Sequence, residues 1–138
     1  MSPARPIGVV VAAFVLTATT AALATGRSAL DGTYRVRWSE QELIAAGAKP
    51  SYAHGNQGIL TWKLHGGTFT IDFRKPPLCR GSYAVVRNTV SIEEGPGCHG
   101  RVKATWSLRN GRLRLHVTRA TDPGDSILFG AKPWKKIA

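Results

Sequence analysis

The chain has 138 residues, which is enough for one domain. Its 19 lysines and arginines outnumber its eight aspartates and glutamates, and the net charge of +11 will draw the protein to anionic partners. Two cysteines, with one adjacent histidine, are too few for a familiar zinc site, so no metal is expected.

Residues 1–24 have the features of a secretory signal peptide, with Arg5 ahead of an apolar run over residues 7–16. Ala22 and Ala24 flank Leu23 in a small-x-small cleavage signal, and we expect cleavage after Ala24. An uncleaved membrane anchor is the alternative, although the apolar run is about half of the ~20 residues that a span requires. The predicted domain is therefore residues 25–138, and its predicted location is secreted or extracytoplasmic.

Seven segments alternate apolar and polar residues, with the period of a strand that buries one face. They are residues 34–38, 60–64, 69–73, 83–85, 90–92, 102–108 and 113–117. Residues 127–137 are expected to hold an eighth strand that closes the sheet. Asn110 and Gly111 give the strongest hairpin signal, because a two-residue turn that matches strand twist needs positive φ at both positions.

One segment departs from the strand period. Ser39 and Glu42 form a capping box, which predicts one short helix over residues 40–46, directly after the first strand. Residues 48–57 are expected to form a turn-rich loop, and residues 122–125 an ordinary turn.

Eight strands in hairpin order, each with one apolar face, favour an antiparallel sheet that closes on itself. Closure buries the apolar face and removes exposed sheet edges. We therefore predict an all-β fold, an eight-stranded up-and-down barrel with one short helix after the first strand. A β-sandwich with Greek-key connections is the alternative.

Several segments resemble a family of small secreted bacterial domains with lipocalin-like (calycin) barrels, also found appended to extracellular solute-binding proteins. The similar segments are GTYRVRW, ELIAAGA, GTFTIDF, CRGSYAVV, GPGC, WSLRNGRLRL and FGAKPWKKI. The resemblance covers most of residues 25–138 and implies a barrel without a defined activity. Two departures from true lipocalins, Gly32-Thr33-Tyr34 in place of Gly-x-Trp and a much shorter chain, argue against a roomy ligand cavity.

The two cysteines, Cys79 and Cys98, are predicted to form a disulfide. A pair of cysteines in a small exported domain is more often a disulfide than a metal or redox site. We expect no free thiol in the exported protein.

The interior of the predicted barrel is the first candidate site, for a small and mainly apolar ligand. An eight-stranded barrel is either filled by its own side chains or holds one small molecule, and the sequence leaves both alternatives open. The loop 48–57 and the helix 40–46 would cover the cavity. The candidate residues are Tyr34, Trp38, Tyr52, His54, Trp62, Phe69, Phe73, Tyr83 and Trp106, with Tyr52 and His54 supplying polarity at the mouth.

The basic exterior is the second candidate site, for anionic cell-envelope polymers or lipid head groups. Eight cations occupy polar positions of strands or their turns: Arg35, Arg37, Lys63, Arg101, Lys103, Arg109, Arg112 and Arg114. Specific nucleic-acid binding is not expected, because the strand aromatics fall on the apolar face and would not stack on bases. A solvated surface that keeps the protein soluble is the alternative.

Catalysis has no support in the sequence. None of His54, His65, His99 and His116 has a serine, cysteine or carboxylate partner at a recognisable motif spacing. The sequence therefore predicts a monomeric, non-catalytic binding module without a cofactor, and a barrel enzyme is a distant third alternative.

Overall fold

The structure of the chain is a computed structural model that describes residues 28–73 and 79–138. The predicted signal peptide lies outside the described residues. Eight strands run along the chain: β1 (Gly32–Trp38), β2 (Gly58–His65), β3 (Thr68–Asp72), β4 (Cys79–Val86), β5 (Thr89–Glu94), β6 (Gly100–Arg109), β7 (Arg112–Ala120) and β8 (Trp134–Lys136). The helices are α1 (Glu40–Ala45), α2 (Pro50–Asn56) and α3 (Pro123–Gly130).

The strands form one closed antiparallel barrel. Each strand is hydrogen-bonded to the next strand in the chain, and β8 returns to pair with β1. The predicted up-and-down barrel is confirmed, and the sandwich alternative is wrong. This topology places the helices at one end of the barrel, where β1 ends, β2 begins, β7 ends and β8 begins.

The hairpin between β6 and β7 has the predicted two-residue turn. Asn110 and Gly111 have φ angles of 52° and 71°, and Arg109 lies directly opposite Arg112. This turn fixes the register of both strands, so that Leu113 and Leu115 are buried and Arg112 and Arg114 face solvent.

The capping box of α1 is also confirmed. The backbone N–H of Glu42 donates to Ser39 Oγ at 3.0 Å, and the backbone N–H of Ser39 donates to Glu42 Oε2 at 2.8 Å. These two bonds satisfy donors that the first turn of a helix leaves without partners, which explains why the chain turns into a helix directly after β1.

Two further helices correct the predictions for their segments. Residues 48–57, predicted as a loop, contain α2, which begins at Pro50, a residue suited to the first turn of a helix. Residues 122–125, predicted as a turn, begin α3: Asp122 accepts a 2.8 Å hydrogen bond from the backbone N–H of Gly124. Residues 127–129, predicted as part of the closing strand, lie in α3, so β8 is short.

Aromatic side chains dominate the core. The rings of Trp62, Trp134, Phe129 and Tyr34 are fully buried, and Phe69 is nearly so. Phe129 comes from α3 and Trp134 from β8, so the helical end and the closing strand both insert a ring into the barrel. Burial of an aromatic side chain stabilises a fold by about 1.5–3 kcal/mol, so this cluster is a main source of stability.

The predicted disulfide is confirmed between Cys79 and Cys98, whose Cα atoms are 5.1 Å apart. It connects the start of β4 to the segment between β5 and β6, at the helical end of the barrel. The part of the chain that the structure describes has no helix with the length and apolar character needed to cross a membrane.

Candidate functional site

Four cations form a single row across the outside of the barrel. Arg109 lies opposite Arg112, Arg112 lies opposite Lys135, and Lys135 lies opposite Arg35. These residues belong to β6, β7, β8 and β1, so each of four neighbouring strands contributes one positive charge. We call Arg109, Arg112, Lys135 and Arg35 the cation row.

The cation row has an unfavourable charge arrangement. Neighbouring strands lie about 4.8 Å apart, so the row is about 14 Å long, and like charges directly opposite each other destabilise a sheet. All four side chains are exposed, and within residues 28–73 and 79–138 no acidic side chain forms an ion pair with any of them. The row is therefore available to an external anion.

Two more arginines extend the cation row along the strands. Arg114 is two residues from Arg112, and Arg37 is two residues from Arg35, so both face outward on the same side of the barrel. We call these six residues the basic patch. Lys135 is not among the candidates predicted from the sequence, because the position of β8 within residues 127–137 has no local signal.

The other three predicted cations lie outside the basic patch. Arg101 forms an exposed ion pair with Glu93 at 3.4 Å. Lys103 lies opposite Arg119 on β7, and both line an open groove of about 570 Å³ on the outside of β4 to β7. Lys63 is exposed on β2, opposite Thr33.

The interior candidates are packed around Trp62. Its ring centroid lies 5.2 Å from those of Phe129 and Trp134, 6.1 Å from that of Phe69 and 6.4 Å from that of Tyr34. Side chains of the protein itself therefore occupy the centre of the barrel. Of the remaining predicted interior residues, Trp38 and Tyr83 are buried, whereas Phe73 and Trp106 are half-buried.

The two polar residues predicted at the mouth have different surroundings. Tyr52 packs at the helical end, and its hydroxyl donates a 2.6 Å hydrogen bond to Asp125 Oδ1. Burial raises the pKa of Tyr52, and the bond to Asp125 raises it further. His54, on the same helix, is exposed and lies 3.6 Å from Glu40, so the structure does not bring it together with Tyr52.

A pair of carboxyl groups lies beneath Tyr52. Asp125 is only 6% exposed, and its Oδ2 atom faces the carboxyl group of Glu94. Gly100 makes room for both groups, because a side chain there would collide with Glu94 Oε2 and Asp125 Oδ2. We call Glu94 and Asp125 the carboxyl pair. No sequence signal identifies it, because the two residues are distant in the chain and meet only when the barrel closes.

Glu94 also lies close to the disulfide. One carboxylate oxygen of Glu94 and the two sulfur atoms of Cys79 and Cys98 lie within 4.8 Å of one another, an arrangement with the size of a metal site. Both sulfurs are bonded to each other, however, and a metal ligand would have to be a thiolate.

The closed eight-stranded barrel is compatible with the lipocalin-like fold that the sequence resembles. Comparison of the chain with protein-family models, with curated proteins and with solved structures gives no match.

Proposed function

We propose that the protein is an exported, non-catalytic binding module that holds linear anionic polymers of the cell envelope on its basic patch. The cation row carries this proposal. Four strands in succession place like charges directly opposite one another, and no acidic side chain of the described residues forms an ion pair with them.

The energetics of the row support a polyanion as the ligand. Each like-charge pair destabilises the folded sheet, so an anion that lies along the row relieves repulsion at three positions as well as making its own contacts. A linear polymer can reach all four charges, whereas one small anion reaches only a part of a 14 Å row.

The side-chain chemistry supports phosphate or carboxylate groups. Five of the six residues of the basic patch are arginines, and a guanidinium group binds such anions through two parallel hydrogen bonds. Lysine would supply the same charge without this geometry. We therefore infer that the patch recognises anion geometry as well as charge.

The location of the protein is part of the proposal. The Cys79–Cys98 disulfide is typical of oxidising compartments, and the sequence of residues 1–24 supports export. The resemblance to lipocalin-like domains agrees with a binding role. The packing around Trp62 favours the outer surface over the interior as the binding site.

The test compares two double variants with the same change of charge. Arg112→Gln/Lys135→Gln removes the centre of the cation row, and Lys103→Gln/Arg119→Gln removes one arginine and one lysine from opposite positions outside it. Binding to fluorescent poly(glycerol phosphate) is measured by polarisation at low salt, with neutral dextran as the polymer control. We expect the affinity for the polymer to fall at least tenfold in the first variant and much less in the second.

Equal losses in the two variants would mean that the polymer senses only net charge, and would contradict the proposal. Anionic lipid vesicles form a second arm of the same experiment. Vesicle binding that exceeds polymer binding, with the same dependence on Arg112 and Lys135, would replace the polymer with a lipid surface as the ligand.

A further inference from the structure

The carboxyl pair connects three elements at the helical end of the barrel. Glu94 ends β5, and Asp125 lies in the first turn of α3. Tyr52 of α2 donates its hydroxyl hydrogen to Asp125 Oδ1 at 2.6 Å. These side chains therefore link both helices to the end of β5.

The contact between the two carboxyl groups requires a proton. Asp125 Oδ2 is buried and receives no hydrogen bond from an N–H group or a hydroxyl group of the described residues. The group that faces it is the carboxyl of Glu94: Glu94 Oε2 and Asp125 Oδ2 lie 2.7 Å and 3.1 Å from the position that a Cβ atom on Gly100 would occupy. Two carboxylates that face each other would repel, whereas one carboxylic acid can donate a hydrogen bond to one carboxylate.

Among the described residues, the charged groups closest to the pair are acidic. The titratable groups that face it are Asp122, the N-cap residue of α3, and Tyr52 of α2. No lysine, arginine or histidine side chain of residues 28–73 and 79–138 forms an ion pair with it. Thr121 Oγ1, also beside Gly100, accepts a hydrogen bond from the backbone N–H of Arg101.

These surroundings favour the protonated form of the pair. Burial raises the pKa of Glu94 to about 8, with contributions from the negative charges of Asp125 and Asp122. Burial also raises the pKa of Asp125, although the hydrogen bond from Tyr52 opposes this shift. Both shifts favour retention of a proton by the pair.

We propose that Glu94 and Asp125 share one proton at neutral pH, and that this proton holds α2 and α3 on the barrel as a cap that loosens under alkaline conditions. The proton lies between Glu94 and Asp125 Oδ2. When it leaves to solvent, two carboxylates face each other, and their repulsion moves α3, which carries Asp125, away from the end of β5.

Linkage determines the sign of the pH dependence. The folded state keeps a proton that the unfolded state releases above about pH 4.5, so the folded state binds more protons between that pH and the pKa of about 8. Stability from this group is fully present below pH 4.5 and falls as pH rises to 8. Above 8 both states are ionised, and the group adds no further slope.

The direct test is an NMR titration of protein labelled with ¹³C at the glutamate carboxyl carbons. The chain has four glutamates, and Glu94→Gln assigns the signal of Glu94 by its loss. We expect this signal to titrate near pH 8. Titration of Glu94 below pH 5 would overturn the shared proton.

Movement of the cap is tested through Trp134, whose indole N–H donates to the carbonyl oxygen of Phe129 at the end of α3. Hydrogen exchange of this indole is compared between the protein and Glu94→Gln at pH 6.5 and pH 9. Glutamine can donate a hydrogen bond to Asp125 at every pH. We therefore expect the two proteins to exchange this hydrogen at the same rate at pH 6.5, and the unsubstituted protein to exchange it faster than Glu94→Gln at pH 9. Equal exchange in both at pH 9 would contradict loosening of the cap.

The melting temperature gives a third measurement with a matched control. It should fall between pH 5 and pH 8 in the protein and in Glu93→Gln, and fall less in Glu94→Gln. Equal pH profiles in all three would contradict the proposal. An increase in the melting temperature on addition of millimolar calcium or magnesium would also contradict the proposal if the increase is abolished in Glu94→Gln. The pair would then bind a metal ion instead of a proton.

Discussion

Substitution of Arg112 by glutamine should stabilise the protein. Arg112 is the one residue of β7 in the cation row, and it lies directly opposite Arg109 on one side and Lys135 on the other. The change removes two like-charge pairs and no ion pair among the described residues. The aliphatic part of the side chain is largely retained, so little packing is lost.

The size of the effect follows from the two pairs. A cross-strand charge pair contributes roughly 0.2–1 kcal/mol, so removal of two gives about 0.4–2 kcal/mol. Exposed side chains can bend apart and are screened by solvent, which places the gain near the lower part of this range, at about 0.5–1 kcal/mol. For a domain of this size that gain corresponds to a rise in Tm of roughly 2–4 °C.

The assay is chemical denaturation at low salt and at 1 M salt. The gain should disappear at 1 M salt, where charges are screened within about 3 Å. Arg101→Gln is the matched control, because Arg101 faces Glu93 and its removal should leave stability unchanged or lower it slightly. If Arg112→Gln destabilises the protein at low salt, or if its gain persists at 1 M salt, the repulsion inferred for the row does not exist.

Four further variants test the packing of the barrel, each by denaturant unfolding. Trp62→Ala should cost roughly 3–5 kcal/mol because it removes a fully buried ring at the centre of the aromatic cluster, and Trp106→Ala should cost less because that ring is half-buried. Gly81→Ala should cost roughly 1–3 kcal/mol, because a Cβ atom there would collide with the backbone carbonyl oxygen of Glu93 and with the ring of Phe69. Replacement of Cys79 and Cys98 by alanine should cost about 3 kcal/mol, since the disulfide closes a loop with a sequence separation of 19 residues. A Trp106→Ala variant less stable than Trp62→Ala would contradict the packing described here.

The barrel could be predicted from the sequence because its signals are local. The alternation in each strand, the Asn110-Gly111 turn and the capping box at Ser39 all lie within segments of a few residues. Each of them agrees with the same closed sheet, and this agreement across segments is what made the topology predictable.

The helical end was harder to predict because its local signals conflict. Asp122 and Pro123 fit a turn as well as a helix start, and the apolar run at residues 127–129 fits a strand by composition. The structure resolves this conflict through tertiary packing: α3 buries Leu128 and Phe129 against the barrel. The carboxyl pair depends on that packing and has no signal of its own.

The cation row was predictable only in part. Arg109 and Arg112 follow from the hairpin, and Arg35 follows from the alternation of β1. Their alignment into one row requires the register of β8 against both neighbours, and Lys135 supplies that connection. Closure of a barrel brings the first and last strands together, which no pattern within a single segment reveals.

The position of β8 between β1 and β7 has a consequence for how the protein folds. This strand pairs with β1 opposite Tyr34 and Arg35, and with β7 opposite Arg112 and Leu113. Until it docks, β1 and β7 are open sheet edges that can pair with another molecule. Trp134 enters the aromatic cluster in the same step, so completion of the core and removal of both edges are a single event. A folding intermediate that lacks β8 would therefore be the species most prone to domain swapping and aggregation.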